Sequence, residues 1–270
     1  MARSDRRTMQ QLTQSAGKDP LYEVFHENTK LGPLTSRAYS AWIVNFTRSH
    51  TAQQTIDQAY KVYTLMERQE LPPVEARNEL ERAIAERRSV RRFSGEPLSR
   101  EELARLLFFT YGKTDRQGPF RAVASGGALY PLELYVAALR VDGIAPGIYH
   151  YSVETGGLDL VRPGNPLATL KQVLAWEGVD IDNAALALVM TAAFRRNTVK
   201  YRDRGYRLIL LEAGEAAQNF ALLATSLGLG SCLLGGFHDD LLSELLDVDG
   251  VEEAPLLPVL VGRPVPAGGS

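Results

Sequence analysis

With 270 residues, 45% of them apolar, the chain is long enough for one large domain or two small ones and for a sizeable core. A formal net charge of −2 excludes the global basic excess of a nucleic-acid binder, and the single cysteine, Cys232, excludes an intrachain disulfide. The histidines at 26, 50, 150 and 238 show no metal-ligand spacing, no apolar run nears the roughly 18 residues that span a membrane, and Met1 to Gly17 lacks the apolar stretch of a signal peptide, so a soluble cytoplasmic protein with no metal site is expected.

Residues 1–20 are polar and read as a frayed end. AQQTIDQAYKVYTLMERQ, 52–69, has the spacing of an amphipathic helix; LPPVEA breaks it, and a second helix covers 76–87. RRSVRR, 87–92, then places four arginines in six residues. Ser99 and Glu102 form a capping box opening a helix that runs to about Tyr111. ASGGALYPLE, 124–133, describes a tight turn leading into a buried strand, LELYVAALRV, 132–141. GIYHYS and GLDLVR flank VETGG as a hairpin, and ALALVMTAAF is a further apolar strand. A single long helix is expected from about Tyr201 to Leu227, with Ala213, Ala217 and Ala221 on one face and Gly228 and Gly230 as stop signals. VLVG, 259–262, is a last strand with Arg263 at its end. Helices and strands mix in order, which is an α+β pattern.

Four stretches carry candidate chemistry. Arginine forks and the hydroxyl of RRSVRRF suit a phosphate; the competing reading is a solvated basic loop. The glycine turn exposes backbone N–H groups that can approach a ligand closely, or is simply a turn. From Leu208 to the end Arg263 is the one cation against nine acids, so it has either a specific task or a surface ion pair. VKYRDRGYR, 199–207, joins Lys200 to Tyr201, and six cations face one acid between Arg195 and Arg207. A cation close to a phenol favours phenolate, so the pair could exchange a proton with carbon; alternatively the tyrosine packs and the lysine is solvated. Neighbouring residues inside a helix point to different faces, so the pair is expected at a helix start or in a loop. LGLGSCLLGGF is no dinucleotide fingerprint, because its glycines end a helix instead of opening one.

Taken in order, RRSVRRF, SGGALYPLELY, KYRDRGYR followed by LEAGEAAQN, LLGGF and LVGRP resemble the azoline dehydrogenases of ribosomal-peptide biosynthesis, the microcin- and streptolysin-type oxidases of the nitroreductase-like flavoprotein superfamily. FHENTK, 25–30, is similar to the start of that group's amino-terminal region. The resemblance spans about residues 20 to 265. It implies a nitroreductase-like α+β fold, with a mixed sheet flanked by helices in an intertwined homodimer. A helical amino-terminal region, 1–75, would precede an FMN-binding domain, 76–270. By the same resemblance Arg87, Arg88, Ser89 and Arg91 would hold the FMN phosphate and ribityl chain, with Arg263 closing the phosphate site. Ser125, Gly126, Gly127 and Tyr130 would come from the partner subunit, Gly235 and Gly236 would lie near the reactive edge of the ring, and the alanine-lined helix would enter the dimer core. Ala124 departs from the proline that the group often has before SGG. Lys200 and Tyr201 would be the acid–base pair that oxidises thiazolines or oxazolines of a peptide, in a complex with a cyclodehydratase. The alternatives are an NAD(P)H-dependent nitro or quinone reductase of the same fold and a non-catalytic, flavin-stabilised scaffold subunit.

Overall fold

The structure is a computed structural model that describes residues 20–57, 60–115, 117–174 and 178–265. Of the expected frayed end at 1–20, residues 1–19 lie outside the described residues. Among the described residues three helices come first: α1 (Leu21–Thr29), α2 (Thr35–Arg48) and α3 (His50–Asp57). The helix expected over 52–69 is described only as far as Asp57, and 60–69 is not helical. The segment from Tyr60 to Thr64 is rich in β-branched and aromatic residues, which lose rotamer freedom in a helix. Its apolar side chains also find nothing to cover: Tyr60 is 81% exposed and Leu65 95%.

Next come α4 (Glu79–Glu86), capped by Asn78, and α5 (Arg100–Tyr111), where the Ser99–Glu102 capping box is present in full. Strands β1 (Leu132–Ala138), β2 (Gly147–Ser152) and β3 (Gly157–Pro163) follow, then α6 (Leu167–Val173) and β4 (Leu186–Ala193). The remaining elements are α7 (Arg195–Tyr201), α8 (Asp203–Ser226), β5 (Gly230–Leu233), α9 (Asp239–Leu246) and β6 (Glu253–Gly262). The six strands form one sheet in the order β3-β2-β1-β4-β6-β5. The expected mixed sheet is antiparallel in all five of its ladders, and parallel pairing is confined to the isolated bridges Ser89–Ser231 and Leu98–Val141.

Both faces of the central strands are buried, which is why they read as unbroken apolar runs. Side chains alternate with period two. Leu134 and Val136 of β1, Leu188 and Met190 of β4, and Val259 and Val261 of β6 point to one core. That core is completed by Leu103 and Leu106 of α5 and by Ala213, Ala216, Ala217 and Phe220 of α8. Tyr135, Ala137, Val189 and Leu260 face the second core under α6 and α9. The alanine face of α8 is buried inside its own chain: Ala213, Ala217 and Ala221 are at most 4% exposed. Small side chains let this helix lie close against the sheet and α5.

The long helix expected from Tyr201 is two helices. Arg202, at φ 50° and ψ −141°, breaks it. The cause is close crossing: a Cβ on Gly205 would stand 3.0 Å from the carbonyl of Asn197 and 3.1 Å from Cα of Thr198, so only glycine lets α8 fold back against α7 so tightly.

Strand register then places the candidate residues. β1 and β4 are antiparallel, with Leu132 opposite Ala192, so the glycine turn before β1 and helix α7 after β4 emerge at the same end of the sheet. β6 runs from that end, with Ala193 opposite Glu253, to the other, with Leu186 opposite Val261. Arg263 therefore sits at the far end, about 30 Å away at the rise of a strand. Among the described residues no helix is long and apolar enough to cross a membrane.

Candidate active site

Helix α7 is anchored at its start. Phe194 is 1% exposed and its N–H donates to the Glu252 carbonyl at 3.1 Å. Arg195 pairs with Glu252 at 3.3 Å. Arg196 pairs with Glu133 and donates to the Tyr130 carbonyl at 3.1 Å. Burial would raise the Glu133 carboxyl, but His150 and Arg196 outweigh it and hold the group below the usual carboxylate range. Two of the six cations in this stretch are therefore structural. Lys200, Arg204 and Arg207 have no ion-pair partner among the described residues.

Lys200 and Tyr201 close the last turn of α7, a helix end and not the helix start or loop expected. Their tips nevertheless meet. Lys200 Nζ lies 5.1 Å from the centre of the Tyr201 ring. A methyl group built on Gly127 would stand 2.6 Å from Tyr201 Oη and 2.7 Å from Lys200 Nζ. Both polar tips thus lie within 2.7 Å of a single point above the glycine turn of the same chain. Lys200 is exposed, Tyr201 half-buried and Gly127 exposed, so the pair can be reached from solvent.

The turn itself is strained: Gly127, Ala128 and Tyr130 all have positive φ (71°, 54° and 45°), two of them without a glycine's freedom. It is held by a buried network absent from the sequence reading. Glu212 accepts hydrogen bonds from Tyr111 Oη at 2.7 Å and Ser125 Oγ at 2.6 Å. Burial pushes the Glu212 carboxyl up against the opposing pull of those bonds. The Arg121 guanidinium lies 4.7 Å from the ring centres of both Tyr111 and Tyr130. One signal pointed to Glu212: it is a lone acid on the helical stripe shared by Ile209, Ala213 and Ala216.

The second tyrosine of KYRDRGYR, Tyr206, has a different task. It stacks on Tyr22 and its Oη meets His26 Nδ1 at 3.2 Å, so the amino-terminal strap docks on α8. Tyr22 belongs to the main core. The Leu31 N–H donates to Asp239 Oδ2 at 2.8 Å, and Lys30 to the Gly250 carbonyl at 2.8 Å. Strap and body enclose a cleft of about 720 Å³ lined by His26, Tyr39, Tyr206, Gly235 and Asp239. Gly236 is buried beside it.

Asp239 gives a pH prediction. Burial raises its carboxyl from 3.8 to about 6. A raised folded-state value means that the folded chain binds the proton more tightly than the unfolded one. The group's stabilising contribution is present below about pH 4 and is lost as pH rises through 6. Asp239→Asn should therefore raise stability at pH 8 by about 1–2 kcal/mol, discounted for partial exposure, with the gain vanishing near pH 4. Urea midpoints at the two pH values check this.

At the other end of the sheet RRSVRRF runs beside β5, with the Val90 N–H donating to the Ser231 carbonyl at 2.9 Å, and beside the end of β6, with Ser94 donating to the Arg263 carbonyl at 2.9 Å. The sequence-distant Arg263 is thereby brought to the arginine segment. Its guanidinium pairs with Glu102 at 3.1 Å and Glu96 at 3.8 Å. Arg88 folds back on the carbonyls of Ala85 and Arg87 and caps α4. Arg87 and Arg91 have no ion-pair partner among the described residues, and Ser89 is exposed between them. That donor set fits a phosphate through Arg87, Ser89 and Arg91; Arg88 and Arg263 have partners of their own.

The profile of the nitroreductase family matches residues 84–263. The chain belongs to the nitroreductase family. It is thus a flavin-linked oxidoreductase of a family whose members typically bind FMN. The nitroreductase-family protein MJ1384 of Methanocaldococcus jannaschii is 40% identical over 201 residues, 73% of this chain and 96% of that one. The microcin B17-processing protein McbC of Escherichia coli is 29% identical over 164 residues, and the chain spans 60% of McbC's length. Among solved structures, the E. coli microcin synthetase McbBCD complex with truncated pro-MccB17 bound contains a chain that superposes with a TM-score of 0.63. That match covers 92% of this chain and 99% of the other at 22% identity, a likeness of fold. This nitroreductase-family chain thus has relatives in peptide processing as well as in the broader family.

Proposed function

We propose that this chain is an FMN-dependent dehydrogenase that oxidises thiazoline or oxazoline rings of a peptide to the aromatic azoles. The carrying observation is the meeting of Lys200 Nζ and Tyr201 Oη above Gly127. A nitro or quinone reductase takes hydride from a nicotinamide and has no step that requires a paired amine and phenol. Aromatisation removes a proton from one ring carbon and a hydride from the next. When bound, FMN would supply the two-electron acceptor for that hydride. Tyr201 Oη would take the α-proton, with Lys200 stabilising the phenolate or sharing the proton, and Arg204 and Arg207 would meet peptide carbonyls. Similarity to McbC supports this substrate class.

Arg87, Ser89 and Arg91 would hold the cofactor phosphate. They lie at the sheet end opposite Lys200 and Tyr201, so one chain does not bring both groups to one flavin. A two-fold pair of chains would: the acid–base pair and glycine turn of one protomer would face the arginine segment of its partner. Likeness to a chain of the McbBCD complex supports docking with a cyclodehydratase.

The test is anaerobic. A thiazoline peptide added to the flavin-loaded protein should bleach the flavin, with loss of two hydrogens from the peptide by mass. Bleaching by NADPH alone, with an inert peptide, would move the chain to the reductase reading that its similarity to MJ1384 favours.

A further inference from the structure

We infer that Glu212 is a positioning residue, which holds the strained 125–132 turn in register with Lys200 and Tyr201. Its catalytic meaning rests on the proposed reaction; its geometric meaning does not.

The argument is one of hydrogen-bond direction. Glu212 is 2% exposed and Tyr111 fully buried, so their polar atoms must be paired within the protein. Ser125 Oγ accepts from the Tyr130 N–H at 2.9 Å, and Tyr111 Oη accepts from the Leu132 N–H at 3.0 Å. Each hydroxyl is thereby left with its single proton to donate, and both protons point to Glu212, one to each oxygen. The carboxylate ties the turn at residues 125, 130 and 132 to α8. A residue in a sparsely populated backbone region persists only where its surroundings over-determine it. Three positive-φ residues lie between these ties. The acid–base pair against the turn is carried by α7, which is fixed to the same helix through the Gly205 crossing. Helix α8 is therefore a common frame for turn and acid–base pair; Glu212 is its carboxylate tie to the turn, beside the direct bond from Arg196 of α7 to the Tyr130 carbonyl.

Glutamine at 212 keeps the shape but accepts from one hydroxyl and presents N–H to the other, which breaks one tie without opening a cavity. The experiment uses the flavin-loaded full chain with tyrosine labelled at Cζ, the Tyr201 resonance being identified by its loss in Tyr201→Phe. Glu212→Gln should move that resonance and lower azoline kcat about 10-fold, with KM and flavin content unchanged. Leu246→Ala, a buried deletion in α9 remote from the turn, should lower Tm and leave the resonance in place. If Glu212→Gln does not fold, Ser125→Ala removes one tie from a half-buried position and should shift the same signal. An unmoved Tyr201 resonance in the folded variant, or a moved one with unchanged kcat, overturns the inference. A moved resonance in a protein that never oxidises azolines, even as wild type, overturns the proposed reaction instead.

Discussion

Tyr201→Phe should lower azoline oxidation by at least about 100-fold while the protein stays folded and keeps its flavin. The substitution removes one oxygen from a half-buried ring, leaving the packing of α7 intact. A positioned acid or base contributes on the order of 10²- to 10⁴-fold, which sets the expected range. Lys200→Ala should show a loss of the same order, because Nζ and Tyr201 Oη converge on the same glycine, Gly127. Single-turnover bleaching by a thiazoline peptide separates this step from flavin reoxidation. Flavin absorbance after gel filtration verifies that the cofactor remains, since the arginines proposed to hold its phosphate lie at the other end of the sheet. If the two groups act as a unit, the double variant will be little worse than either single one. Turnover retained in both single variants would remove the acid–base assignment.

The second large effect is expected at Gly127. At φ 71° an alanine costs about 1 kcal/mol relative to glycine, which the fold can bear. Its methyl group, however, would occupy the point that Tyr201 Oη and Lys200 Nζ share, at 2.6 and 2.7 Å. Both tips are ends of long side chains and can swing aside, so the damage falls on geometry more than on stability. Gly127→Ala should therefore reduce azoline kcat by about 10- to 100-fold and Tm by only a few degrees. Gly214→Ala is the comparison: that position is exposed, helical, and a Cβ there meets nothing within 4 Å, so activity should be unchanged and stability should rise slightly, by up to about 1 kcal/mol. Equal losses in the two variants would show that Gly127 has no special relation to the pair.

Much of this protein is fixed by short-range chemistry and was legible from residues alone. The Ser99–Glu102 box sets the start of α5 because a hydroxyl and a carboxylate three residues apart satisfy each other's backbone donors. The unbroken ALALVMTAA run makes β4 a central strand, since only a strand covered on both faces tolerates so many consecutive apolar residues. RRSVRRF, SGGALYP and KYRDRGYR marked the three stretches that line the candidate sites. Long-range geometry decided the rest. Antiparallel register of β1 against β4 put the glycine turn beside Lys200 and Tyr201, and the length of β6 put Arg263 at the opposite end. The break at Arg202 was hidden because it comes from Gly205 meeting the α7 backbone, a contact between turns of chain that no helical periodicity records. Tyr206 and His26 found each other across 180 residues, and Glu212 found Ser125 across 87. A side chain's type states what it can bond; only the fold determines which partner reaches it.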